Sequence, residues 1–110
     1  MGLSKTEIFA ERENLIASFA KAFGHPARVA ILQYLINQQS CVCGDIVNEI
    51  GLAQATVSQH LKELKNIGLI TGSIEGASVC YCIDSTKWNE MKSVFTGFLS
   101  QDISCKDSCC

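Results

Sequence analysis

Along the chain the spacing of apolar residues changes twice, from helical to alternating and back to helical. From Thr6 to Phe23, Ile8, Phe9, Leu15, Ile16, Phe19, Ala20 and Phe23 recur every three or four positions, the signature of an amphipathic helix. "GHPARVAILQYLIN" opens a second helix with Pro26 in the first turn, where its missing N–H costs nothing. Val29, Ile31, Leu32, Leu35 and Ile36 are expected to bury most of it. A short third helix is expected over about Gly44 to Ile50, closed by Gly51 as a left-handed cap. After "GLA" a fourth helix runs from Gln54 to about Ile67, with Val57, Leu61 and Leu64 inward and Gly68 at its end.

Two helices joined by so short a Gly-containing turn form a helix-turn-helix. The period then drops to two: "LITGSIEGASVCYCID" reads as two strands around a turn near Glu75 to Ala77, a wing behind the helix pair. Helical spacing returns from Ser85 to about Ile103. The expected class is mainly α with a small β-hairpin (α+β), a winged helix-turn-helix of about five helices and a two-stranded wing. One domain is expected over residues 1–110, ending in a short Cys-containing tail at about 104–110. Phe19, Phe23, Trp88, Phe95 and Phe98 exceed what so small a core covers, so the first and last helices are expected to form a homodimer face.

The 47% apolar content supports a folded chain. No apolar run approaches the ~18 residues of a membrane span, and "MGLSKTEIFAERENL" lacks a signal-peptide layout, so a cytoplasmic location without membrane association is expected. Nine Lys and Arg against eleven Asp and Glu leave a net charge of −2, which weakens a general case for nucleic acid and throws the weight on local placement. That placement is favourable on the fourth helix. Gln54, Thr56, Ser58 and Gln59 offer amides and hydroxyls suited to base edges, and Lys62 and Lys65 offer ammonium groups suited to phosphate. A solvated polar face is the bland alternative.

Seven cysteines in a reducing compartment point to soft-metal binding or redox sensing more than to a disulfide scaffold. No Cys-x-x-Cys, nucleotide loop or acid–base constellation supports an enzyme.

The segments "HPARVAILQYL" and "GLAQATVSQHLKELKNIGLI", with a cysteine pair just upstream of the second, resemble the ArsR/SmtB family of winged-helix metal-sensing repressors from about Ile8 to Leu99. The resemblance implies a homodimer that binds double-stranded operator DNA and is released by a metal or metalloid. Three positions depart from the family pattern. Ala53 stands where a capping Ser is usual, the wing turn carries no Arg, and His60 lies beside Leu61 and Leu64, where a structural role is expected. The last helix holds no histidine, which excludes the family's zinc site there.

Arsenic-sensing members carry Cys-Val-Cys and, two residues on, a third Cys. Cys41 and Cys43 match the first two, and the motif's third cysteine position, after two intervening residues, is Ile46. The implied inducer is trivalent arsenic, as arsenite or methylarsenite, or antimony, with no organic cofactor. Arsenite needs three sulfurs, so the resemblance leaves open a third donor from the tail cysteines Cys105, Cys109 and Cys110, or a complete site in the tail. A cadmium or lead sensor and a thiol redox switch are the alternatives. Residues two apart on a helix point about 200° away from each other, so Cys41 and Cys43 chelate one atom only if the backbone there is extended or the helix's first turn opens, and capture is then expected to strain the helix that supports the DNA-reading helix. Cys80 and Cys82 flank Tyr81 and share a strand face, which makes them geometrically ready to chelate, although small apolar residues filling the inner face is the preferred reading.

Overall fold

A computed structural model of the chain describes residues 8–38, 40–44, 46–75 and 78–104. The chain order is α1 (Glu11–Lys21), α2 (Pro26–Gln38), β1 (Val42–Cys43), α3 (Ile46–Ile50), α4 (Gln54–Ile67), β2 (Ile70–Glu75), β3 (Ser78–Ile83) and α5 (Ser85–Leu99). Five helices and a β2–β3 hairpin make the expected winged helix-turn-helix, joined by one strand that the sequence pattern does not announce. Strand β1 pairs antiparallel with β3, giving a three-stranded sheet in the order β1-β3-β2.

The helix ends follow from local chemistry. At α1 the Glu13 carboxylate accepts the Ala10 N–H at 3.0 Å, and Glu11 and Glu13 in the first turn suit the positive end of the helix dipole. The helix therefore starts at Glu11, later than the apolar spacing suggests, and Ile8 and Phe9 are exposed outside it. At α2 the unprotonated Nδ1 of His25 accepts the Ala27 N–H at 3.0 Å, filling the cap role that a Ser or Asp usually takes. The Asp84 carboxylate caps α5 by accepting the Lys87 N–H at 3.0 Å, and that helix ends at Leu99, short of Ile103.

Phe19, Ile31, Leu32, Val57, Leu64, Leu69 and Ile70 are almost fully buried and tie α1, α2, α4 and β2 into one core. Val29 and Ile36, expected inside, lie on the exposed side of α2 because the buried stripe of this helix follows Ala27, Ile31, Leu32 and Leu35. Helix α1 packs on α5 through aromatic rings. Phe19 meets Phe95 edge-on at 6.4 Å between centroids, and Phe23 lies 6.1 Å from Phe95 and 6.5 Å from Trp88. Part of the aromatic surplus is thus covered within the chain, Phe19 completely, while Phe98 and Leu99 remain exposed.

Candidate DNA-reading helix and thiol site

Helix α4 is held by its ends and one face. Ala53 adopts an extended conformation without a side-chain cap. Gly68 closes the helix at φ 98°, a left-handed conformation costly for any residue with a Cβ, and its N–H reaches the carbonyls of Leu64 and Lys65. Val57, His60, Leu61 and Leu64 are buried. The opposite face presents Gln54, Thr56, Ser58, Gln59, Lys62 and Lys65, every one exposed, so the six sequence-derived candidates share one accessible side of one helix.

His60 belongs to the packing side. Its Nδ1 accepts a hydrogen bond from the Arg28 Nε at 3.2 Å, and its ring lies 4.4 Å from that of His25, centroid to centroid. Burial lowers its pKa below 6.5, and the nearby His25 and Arg28 lower it further. The neutral ring is the form that fits, since a protonated Nδ1 could no longer accept from the guanidinium. The stabilising contribution is therefore complete above pH 6.5 and is lost as the pH falls from there toward the lowered folded-state value. A urea midpoint measured from pH 8 to pH 5 should decline on the acid side, and less steeply in His60→Gln. Equal declines would remove His60 as the cause.

The described thiols lie at β1 and on β3. β1 pairs with β3 so that Val42 faces Tyr81 and Cys43 faces Cys80 across the ladder. One position further, the sulfurs of Cys41 and Cys82 are joined in a disulfide, with Cα atoms 4.5 Å apart, the spacing of directly opposed residues on neighbouring strands. Cys80 is disulfide-bonded as well. Gly44, at φ 93°, turns the chain out of β1 toward α3. The backbone at 41–43 is therefore extended, the geometry that lets residues two apart act together, and α3 begins only at Ile46. Ile46 is buried in the core, as its apolar side chain requires.

Cys82 is thus joined to Cys41 across the two strands rather than only filling the face of β3. The missed signal was the alternation itself. Cys-x-Cys at 41–43 and Cys-x-Cys at 80–82 are complementary once the two strands pair, but a two-residue strand has no period by which to recognise it. Cys80 is buried, only 2% exposed, as an inner-face strand residue should be. A cleft of about 570 Å³ opens beside the Cys41–Cys82 pair, lined by Leu35, Ile36, Ile83 and Trp88 among others. Among the described residues no group of three or more His, Cys, Asp or Glu is placed to hold a metal ion. The side chain of Cys43 and the whole of Cys105, Cys109 and Cys110 lie outside the described residues.

A helix-turn-helix followed by a two-stranded wing is the architecture of the winged-helix class. Comparison with known proteins narrows this. The model of the bacterial regulatory protein arsR family matches residues 25–71, from the start of α2 into β2. An HTH-type transcriptional regulator of Methanocaldococcus jannaschii is 37% identical over 82 residues, 74% of this chain and 91% of the relative. The transcriptional repressor SmtB of Mycobacterium tuberculosis is 41% identical over 61 residues, 56% of this chain and 44% of SmtB. Among solved structures, NolR from Sinorhizobium fredii superposes with a TM-score of 0.64 at 23% identity, covering 93% of this chain and 99% of NolR, a likeness of fold. The chain belongs to the ArsR family of transcriptional regulators, which are not enzymes. No described helix is long and apolar enough to cross a membrane.

Proposed function

We propose that the protein is a homodimeric repressor that binds operator DNA through α4 and leaves it when a trivalent arsenical or antimony is captured at the β1–β3 thiols. The observation that carries this reading is the Cys41–Cys82 contact, which supplies beside the Cys41/Cys43 pair the sulfur that Ile46 does not. Reduction of the disulfide by a small dithiol, itself oxidised, frees both thiols. Arsenite, As(OH)₃, then exchanges three hydroxides for the sulfurs of Cys41, Cys43 and Cys82 and releases three waters. Methylarsenite, with carbon already in one position, needs only two. The third donor then comes from the same fold, so the tail cysteines are not required.

The site lies where it can act. β1 ends at Cys43 and α3 begins at Ile46, α3 packs against α4, and an atom clamped between β1 and β3 would fix one end of that path. Linkage requires the arsenical to bind the DNA-free form more tightly, with coupling typically about 1–3 kcal/mol. The deciding experiment is release of reduced protein from operator DNA, followed by fluorescence anisotropy during titration with arsenite, methylarsenite, cadmium and peroxide. Release by the arsenicals supports the reading, and release by peroxide alone would replace it with a redox switch.

On the DNA side, Gln54, Thr56, Ser58 and Gln59 are assigned to base edges and Lys62 and Lys65 to phosphate. Gln59→Ala should relax the preference at one base pair at a cost of about 1–3 kcal/mol. Lys62→Ala should weaken all sequences alike and flatten the salt dependence. Wild-type binding by both variants would refute the assignment. The exposed Phe98 and Leu99 at the end of α5 support the dimer face, and a sedimentation mass of one chain at micromolar concentration would refute it.

A further inference from the structure

We infer that the cleft beside the Cys41–Cys82 pair is a binding site for a neutral, planar soft electrophile of the quinone class, which the reduced Cys41 thiol captures by conjugate addition. The cleft measures about 570 Å³, within the roughly 300–1,000 Å³ of small-molecule sites. Its composition sets the ligand. Leu35 and Ile36 of α2, Ile83 of β3 and Trp88 of α5 give it apolar walls and one aromatic face. Among the described residues that line it, none but the two cysteines is ionisable, so a charged ligand would leave water without meeting a counter-charge. Ser85, Trp88 and Asn89 fall at i, i+3 and i+4 in the first turns of α5, which sets a hydroxyl and an amide beside the indole. A flat apolar ring with carbonyl oxygens at its edge matches both features. The ring stacks on the indole, and the oxygens accept hydrogen bonds from the hydroxyl and the amide.

The sulfurs add the reactivity. Cys41 and Cys82 both line the cleft, joined in the described state. A small dithiol reduces that bond, becoming a disulfide itself, and leaves two thiols in the wall. The attacking form of a thiol is the thiolate, which water favours and apolar surroundings disfavour. Cys41 is exposed and Cys82 half-buried, which makes Cys41 the nucleophile. Its sulfur bonds to the quinone ring carbon that is conjugated to one carbonyl, the displaced electron pair moves to that carbonyl's oxygen, and this oxygen takes up the proton that the thiol gave up. The hydrogen of the attacked carbon then passes to the second carbonyl oxygen, leaving a hydroquinone thioether. Every atom of thiol and quinone is kept, and the quinone is itself the oxidant. This site shares two sulfurs with the proposed inducer site, but it requires neither arsenic nor DNA and uses the cleft, which that reading leaves without a role.

The test uses the full-length chain with Cys105, Cys109 and Cys110 all replaced by Ser, reduced, freed of reductant and mixed under nitrogen with 1,4-naphthoquinone. Trp88 is the only tryptophan in the sequence, so its fluorescence reports on the cleft directly. Quenching that saturates is expected, with a rate of addition that saturates over the same concentrations and a mass gain of one naphthoquinone on the peptide that holds Cys41. Cys41→Ser should keep the quenching and lose that adduct. Ile36→Asp places a charge in the wall at a position already 41% exposed, and should raise the half-saturating concentration at least tenfold. If circular dichroism finds that variant unfolded, the rate law decides without it. A rate that stays linear in naphthoquinone, a Cys41 rate no faster than in the urea-unfolded chain, or a folded Ile36→Asp that behaves as wild type would overturn the inference. Release from DNA is measured separately, so a protein that adds naphthoquinone in this way but ignores arsenite would refute the proposed function and leave this site standing.

Discussion

Cys82→Ser should keep operator affinity and lose release by arsenite. Serine removes one sulfur from the set Cys41, Cys43 and Cys82, and its neutral hydroxyl is a poor donor to a soft trivalent ion, so arsenite is left with two thiolates where it needs three. Cys41→Ser should behave alike, since the two sulfurs are in contact across β1 and β3. Methylarsenite provides an internal control, because two thiolates suffice and Cys82→Ser should retain part of its response to it. Operator affinity should survive in both variants because Cys41 is exposed, Cys82 is half-buried, and neither lies on the exposed polar face of α4. Anisotropy titrations against both arsenicals provide the measurement. A Cys82→Ser protein that still leaves DNA at wild-type arsenite concentrations would remove the β1–β3 contact from the inducer site.

The second large effect concerns the support beneath the reading helix. Leu64 has no exposed surface and packs in the core with Phe19, Ile31, Leu69 and Ile70. Leu64→Ala removes three heavy atoms from a site closed by α2 and β2, and should cost about 2–5 kcal/mol in the urea unfolding free energy. For a domain of this size that is a large share of total stability. Lys62→Ala, two positions away on the exposed face, should leave the urea midpoint within about 0.5 kcal/mol of wild type while weakening DNA binding. The pair separates packing from contact. A Leu64→Ala protein as stable as wild type would mean that α4 is not anchored as described.

Much of the architecture is legible in the residues because long elements repeat their signal. α4 shows it most clearly: Val57, Leu61 and Leu64 mark the inner face, Gly51 and Gly68 mark left-handed turns, and the polar stripe falls opposite. The hairpin is legible for the same reason, with six residues in each strand. β1 is not, since Val42–Cys43 is too short to alternate and exists only because β3 offers a partner edge. Without β1 beside β3, nothing in the sequence brings Cys82 to Cys41. The start of α1 was misplaced because Ile8 and Phe9 continue the apolar spacing, whereas the Glu13 bond to Ala10 sets the boundary. His25 as the cap of α2 shows the same limit, for a histidine acquires that role only when its ring turns back on the chain.

On the proposed reading, the pairing of β1 with β3 lets a three-sulfur site form without a cysteine at Ile46. Ile46 contributes to the core beneath α3, and a thiol there would give up that packing. Placing the additional sulfur on β3 leaves the helix intact and puts the donor on the wing, so that one captured atom would span the wing and the segment leading into the helix-turn-helix. Strain at that junction has a short route to α4 through α3.

The central claim, that the inducer site is complete at the β1–β3 junction, is tested most directly by arsenite release of a chain ending at Ser104. That chain lacks Cys105, Cys109 and Cys110 and keeps every element from α1 to α5. Reduced, bound to operator DNA and titrated with arsenite, it should dissociate at the same concentration as the full chain, with one arsenic bound per chain. Retention on DNA at arsenite concentrations that release the full chain would contradict the account and place an essential sulfur in the tail.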